Sequence, residues 1–307
     1  MMKSVRLLSS AFMATEESTQ TAMLEAFSQL PEDTAAADNH LIDSMLGLNR
    51  DGSEYVLIFV RTAPTRKLST LVLEALAIKL LNSHPENKIC AGLEVDQADV
   101  SRVVHMAAMC NLKVVLIGGG PETLIGMTEG IGAYTGAPLA SLFLQADNVE
   151  LPQPELLQAA VMQYEEGEVG RLSAMAGTVV KPLFAALERA CFSDLNTLYS
   201  ADDVSWSKAV ITHADYLADS KLPSMMTIDL ARIAVEENGT RQLPISMAHA
   251  KVFLSRSCNR LKSRYLHLAP PAKLSDRQCA SMIAELILRF YQSHEARSSI
   301  NLNYQTL

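Results

Sequence analysis

KVVLIGGGPETLIGMTEGIGAYTG, residues 113–136, sets an apolar, β-branched run against three successive glycines, a proline and a glycine-studded continuation. Val, Leu and Ile in a short run bounded by turn residues read as a strand. Gly118–Gly120 break that run, and Pro121 suits a first helical position, where its missing N–H removes no hydrogen bond. Strand, glycine turn and helix in that order make one βα unit. The turn is then either a phosphate cradle or a tight corner.

Backbone N–H groups and the positive end of a helix favour a phosphate at such a turn. VVLIGGGP resembles the opening of the flavin- and nicotinamide-binding fingerprint, G-x-G-x-x-G, through Gly118 and Gly120. That resemblance implies an α/β enzyme holding a nucleotide or flavin at Gly118, Gly119, Gly120 and Thr123. Thr123 stands in the third glycine's place, and the ribose-binding acid, expected about 20 residues on, is met late by Asp147 and Glu150. No Gly-Lys-Ser or Gly-Lys-Thr follows, so a Walker-type loop is absent. Glycines 126, 130, 132 and 136 each weaken a helix by about 1 kcal/mol relative to Ala. The pairs Gly126/Gly130 and Gly132/Gly136 lie one turn apart, where they admit a neighbouring backbone. The turn reads as architecture, with nucleotide or flavin binding as the alternative.

Upstream, residues 19–30 read as helix, Tyr55–Val60 as a strand, 67–84 as helix, 88–94 as a short apolar piece and 99–110 as helix. After Pro154 the alternation stops: 154–166, 170–192, 203–219, 224–237, 245–267 and 274–296 all read as helices between Gly, Pro or Asp breaks. The expected fold is mainly α, two-lobed, with a small β/α element around residues 54–118. Its parts are an arm (1–20), a mixed lobe (21–150), a helical lobe (151–296) and a tail (297–307), with a boundary near 148–154.

Charge supplies the second signal. The 307-residue chain carries a formal charge of −8, yet Arg241–Arg277 holds eight basic residues and one acid, +7 against −15 elsewhere. On a helix, Leu254, Cys258, Leu261, Tyr265 and Leu268 share one arc, and Arg256, Arg260 and Arg264 line the opposite side. Guanidinium forks at successive turns suit a row of phosphates, with Lys251, Lys262, Arg61, Arg66 and Lys67 as further contacts.

The expected function is a non-catalytic, nucleocapsid-like assembly protein gripping the backbone of single-stranded nucleic acid, RNA rather than DNA, without sequence preference. Its terminal arms would exchange between copies. A protein-only scaffold is the third reading. HExxH, GxSxG and DxDxDG motifs are absent, and His213, Asp215 and Asp219 make an incomplete metal set. No catalytic residue, metal or cofactor is expected. Five scattered cysteines without a CxxC pair point to a reducing compartment, cytoplasmic or nuclear, soluble and not secreted, and no segment is a membrane span.

Overall fold

The computed structural model describes residues 6–8, 45, 55–61, 68–83, 90–119, 121–137, 139–145, 157–163, 190–194, 203–219, 221–230, 246–270 and 276–304. They form an α/β protein built on parallel strands, and the chain divides into two compact units. The first comprises Met1–Ala137 and Arg264–Ala284, the second Pro138–Ser263 and Glu285–Leu307. The mainly α expectation, helical lobes with only a small β/α element, is therefore overturned. The positions 148–154, where a boundary was expected, and the helix read over 19–30 lie outside the described residues.

In the first unit, β1 (Arg6–Leu8), β2 (Tyr55–Val60), β3 (Cys90–Val95), β4 (Lys113–Ile117) and β9 (Tyr265–Ala269) lie in the order β1-β3-β2-β4-β9. All pairings are parallel except β1 with β3. Residues 6–8, read as part of a free arm, thus pair with a strand of their own chain. Tyr55–Val60 is buried along its whole length, which is why it reads as a continuous apolar run rather than an alternation.

Three helices complete the described part of this unit: α1 (Leu68–Ser83), α2 (Val100–Met109) and α3 (Pro121–Thr135). On α2, Val100, Val103, Val104 and Ala107 are buried at helical spacing. Gly126 and Gly130 on α3 turn toward that stripe. A Cβ on Gly126 would meet Val100 at 3.1 Å, and one on Gly130 would overlap the Ser101 carbonyl oxygen. Two missing side chains thus set the α2–α3 separation.

The second unit holds β5 (Leu139–Gln145), β6 (Leu157–Gln163), β7 (Ala190–Asp194) and β8 (Ser224–Asp229), ordered β8-β5-β6-β7 and all parallel. Residues 157–163, 190–192 and 224–229, each read as helix, lie in strands. Ala, Met and Gln are good helix formers, and Ser224–Asp229, buried over its first five residues, lacks the period-2 signal that would have opposed a helix. With α4 (Asp203–Ala218) and α5 (Met247–Leu261), the βα alternation continues beyond Pro154.

The helix expected over 245–267 stops at Leu261. Lys262 takes the left-handed conformation (φ 53°), and its N–H bonds back to the Cys258 carbonyl. Tyr265 and Leu268 are buried in β9, not on the helix. Helix α6 (Asp276–Tyr304) begins in the first unit, ends in the second, and includes residues 297–304 of the expected tail. Among the described residues, no helix is long and apolar enough to cross a membrane.

Candidate functional site

Parallel α/β sheets place ligands outside the carboxyl ends of their strands, where strand order reverses. In the first unit the chain leaves β2 for β3 on one flank, and leaves β3 for β4 on the other. The glycine turn follows β4 at that reversal. Gly118 and Gly119 both have positive φ, 114° and 70°, a conformation that glycine adopts without steric cost.

The position of a Cβ on Gly119 is already taken by the Thr123 side chain, whose hydroxyl donates to Gln97 Oε1 at 2.5 Å. The Gly118 carbonyl faces His267 Nε2 at 3.1 Å. Burial, partly opposed by that carbonyl, holds the His267 pKa down at about 4, so the ring is neutral and Nε2 carries the donated proton. Within the described residues the turn is tied into its own unit by Thr123, Gln97 and His267. Gly120 lies outside them.

Beside the turn, three charged residues gather at the ends of β2 and β3. Arg61 extends the β2–β3 ladder, its N–H donating to the Val95 carbonyl at 2.8 Å. Its guanidinium lies 3.8 Å from Glu94 and 3.6 Å from Asp96. The other Glu94 oxygen accepts from Ser69 Oγ at 2.6 Å, in the first turn of α1. The Asp96 side chain is 50% exposed and that of Arg61 30%.

In the second unit, β5 leads to β6 and β7 on one flank, and β8 returns to the other. Ser141 pairs in register with Met225, and Phe143 with Thr227. Alternation along parallel strands then puts Ser141, Thr227 and Asp229 on one sheet face. Ser224, on the opposite face, donates to the Leu261 carbonyl at the end of α5. Ser141 and Thr227 are 0% and 5% exposed, and neither hydroxyl has a hydrogen-bond partner among the described residues. Buried hydroxyls normally find one, and leaving one unmet costs about 1–3 kcal/mol. Asp229 stands above them, at the carboxyl end of β8 and only partly buried.

The residues singled out by charge do not form one ridge. Arg256 is exposed on α5, while Arg260 lies 3.3 Å from Asp215 of α4. Arg264 falls beyond the helix end, donating to the side-chain oxygen and carbonyl of Asn111. Lys251 pairs with Glu285, and Lys262 is the left-handed residue closing α5. Arg66 and Lys67 lie outside the described residues. His213 is buried on α4 and hydrogen-bonds the Ala209 carbonyl through Nδ1; burial lowers its pKa. No group of three or more His, Cys, Asp or Glu side chains is placed to hold a metal among the described residues.

No family model and no curated protein matches the sequence. Solved structures do resemble the fold. Formimidoylglutamase from Bacillus subtilis subsp. subtilis str. 168 aligns with TM-score 0.57 and 9% identity, over 79% of this chain and 87% of its own. Agmatine ureohydrolase of Thermoplasma volcanium gives 0.54 and 12%, over 80% and 91%. Arginase from Bacillus subtilis gives 0.53 and 10%, over 77% and 97%. The architecture is thus that of arginase-like α/β proteins. It replaces the helical, nucleocapsid-like RNA-binding expectation, an analogy of size and charge layout.

Proposed function

We propose that the chain binds a small amino or guanidino compound at the carboxyl edge of its second unit. The reading rests on one observation: two buried hydroxyls without partners among the described residues, Ser141 and Thr227, on the sheet face that ends in Asp229. A carboxylate with two hydroxyl oxygens below it accepts several N–H donors and complements positive charge. Guanidinium offers five such donors in a planar fork. The names of the structural neighbours arginase and agmatine ureohydrolase point to ligands of the same chemistry. In this reading Asp229 fixes the cationic head, and the Thr227 hydroxyl, the next same-face position below it, takes up a further N–H, while Ser141 lies two levels deeper, at the height of Met225. We place the protein in a reducing compartment, on the buried thiols of Cys110, Cys258 and Cys279; thiol counting on protein trapped with an alkylating agent at lysis checks this.

Calorimetric titration with agmatine tests the assignment. Asp229→Asn should weaken binding roughly tenfold to a hundredfold, the range for a lost charged hydrogen bond. Thr227→Val should weaken it by about tenfold or less. Agmatine that gives no heat with the native protein, or binds Asp229→Asn as tightly, refutes the reading.

A further inference from the structure

We propose a second ligand site, in the first unit, for the zwitterionic head of an α-amino acid, held between Arg61 and Asp96. It is independent of the agmatine reading, since every group it uses lies at the carboxyl ends of β2 and β3 or on α1.

Strand register builds the site. Phe59 pairs with Glu94 and Val60 with Val95, so the next level sets Arg61 beside Asp96. Residues two apart on a strand share a face, which brings Glu94, Asp96 and Arg61 to one side at the carboxyl end. Glu94 is committed: one oxygen accepts from Ser69 and the other faces Arg61 Nε, with its side chain 13% exposed. It anchors the guanidinium from beneath. Asp96 differs, being half exposed and touched by Arg61 through Oδ1 at 3.6 Å.

Neither Arg61 contact closes to hydrogen-bond length, normally 2.7–3.2 Å for N–H···O. Coulomb attraction positions the guanidinium without consuming its donor directions on these two carboxylates. The outward edge is therefore a fork of N–H donors beside a carboxylate. An α-amino acid presents the complement, a carboxylate and an ammonium on one carbon. Its carboxylate meets the Arg61 fork as a bidentate acceptor, and its ammonium meets Asp96. A simple anion gains from Arg61 but is opposed by two carboxylates, and a simple cation meets Arg61's repulsion. Only a ligand carrying both charges satisfies both partners. The glycine turn after β4 borders the same strand reversal without projecting side chains from Gly118 or Gly119.

The test is ligand-induced thermal stabilisation of the full chain by L-alanine, its methyl ester and N-acetyl-L-alanine. The ester lacks the carboxylate charge and the acetyl compound lacks the ammonium. Stabilisation by L-alanine should be half-maximal at a concentration at least roughly tenfold below that needed for either derivative. Asp96→Asn and Arg61→Lys should each weaken the L-alanine response by about tenfold; Lys keeps the charge but not the fork. Thr227→Val should leave it unchanged. Equal responses to all three compounds, no response to L-alanine, or an undiminished response in a folded Asp96→Asn or Arg61→Lys protein overturns the proposal. Should Arg61→Lys fail to fold, Asp96→Asn and the two derivatives decide alone. Agmatine has no carboxylate and L-alanine no guanidinium, so failure at one site is distinguishable from failure at the other.

Discussion

Gly126 and Gly130, and Gly132 and Gly136, repeat one spacing within a single stretch of sequence, yet they do different work. The first pair faces α2, where a Cβ would strike Val100, Ser101 or Val104. Around the second pair no described residue beyond the chain neighbours and the helix's own backbone lies within 4 Å of where a Cβ would stand. The same four-residue interval thus marks a close helix contact in one turn and open space in the next. Spacing shows which residues share a helix face. What that face meets is decided by tertiary structure.

Substitutions along α3 can break or sharpen this contrast. Gly130→Val should do most damage, because its Cβ would overlap a backbone oxygen and lie 3.0 Å from Val104 Cβ. Overpacking of this kind costs about 3 kcal/mol, readable as a lowered urea midpoint with unchanged slope. A loss below half that value would mean that α2 and α3 separate easily.

The turn at the other end of α3 gives a pH effect of similar size. His267 titrates at about 4 when folded and near the ordinary histidine value of 6.5 when unfolded. Between those values the unfolded chain binds the extra proton, so stability rises with pH. It is fully present above 6.5 and is lost as pH falls toward 4, by on the order of 3 kcal/mol. Urea melts at pH 7 and pH 4.5 should show this loss, and His267→Gln should flatten it.

Two milder changes separate conformation from space. Gly136 ends α3 at φ 62°, its N–H bonded to the Gly132 carbonyl at 2.8 Å. Gly136→Ala should cost about 1 kcal/mol despite the open surroundings, because an L side chain is strained there. Gly132→Ala has both space and an ordinary helical backbone, and should stabilise by about 0.5–1 kcal/mol. Thermal melts of the two variants moving in opposite directions would confirm that conformation alone divides them.

Legibility followed the same division. Strands β2 and β4 were readable because β-branched and aromatic runs end in clear breakers. Helices α1, α2, α4 and α6 were readable from period or length. Strands β6, β7 and β8 were not: LQAAVMQ and SMMTID favour helix locally, and pairing within a parallel sheet holds them extended. The basic ridge failed for a related reason. Arg256, Arg260 and Arg264 align only if the helix runs through 264, and the left-handed Lys262 ends it first.

Of the candidate sites, Arg61 was noticed for its charge, and its acidic partners on β3 were not, since 33 residues separate it from Glu94. Ser141, Thr227 and Asp229 were missed altogether. One signal was present: Thr227 and Asp229 stand two apart at the end of an apolar run, the interval that places both on one face of a strand. It is visible only once SMMTID is taken as extended.

The most direct test of the account is a crystal structure of the protein grown with agmatine. The account predicts the guanidinium against the Asp229 carboxylate, within hydrogen-bond distance of the Thr227 hydroxyl. Agmatine bound at another place, with Ser141 and Thr227 still unpartnered, would contradict it.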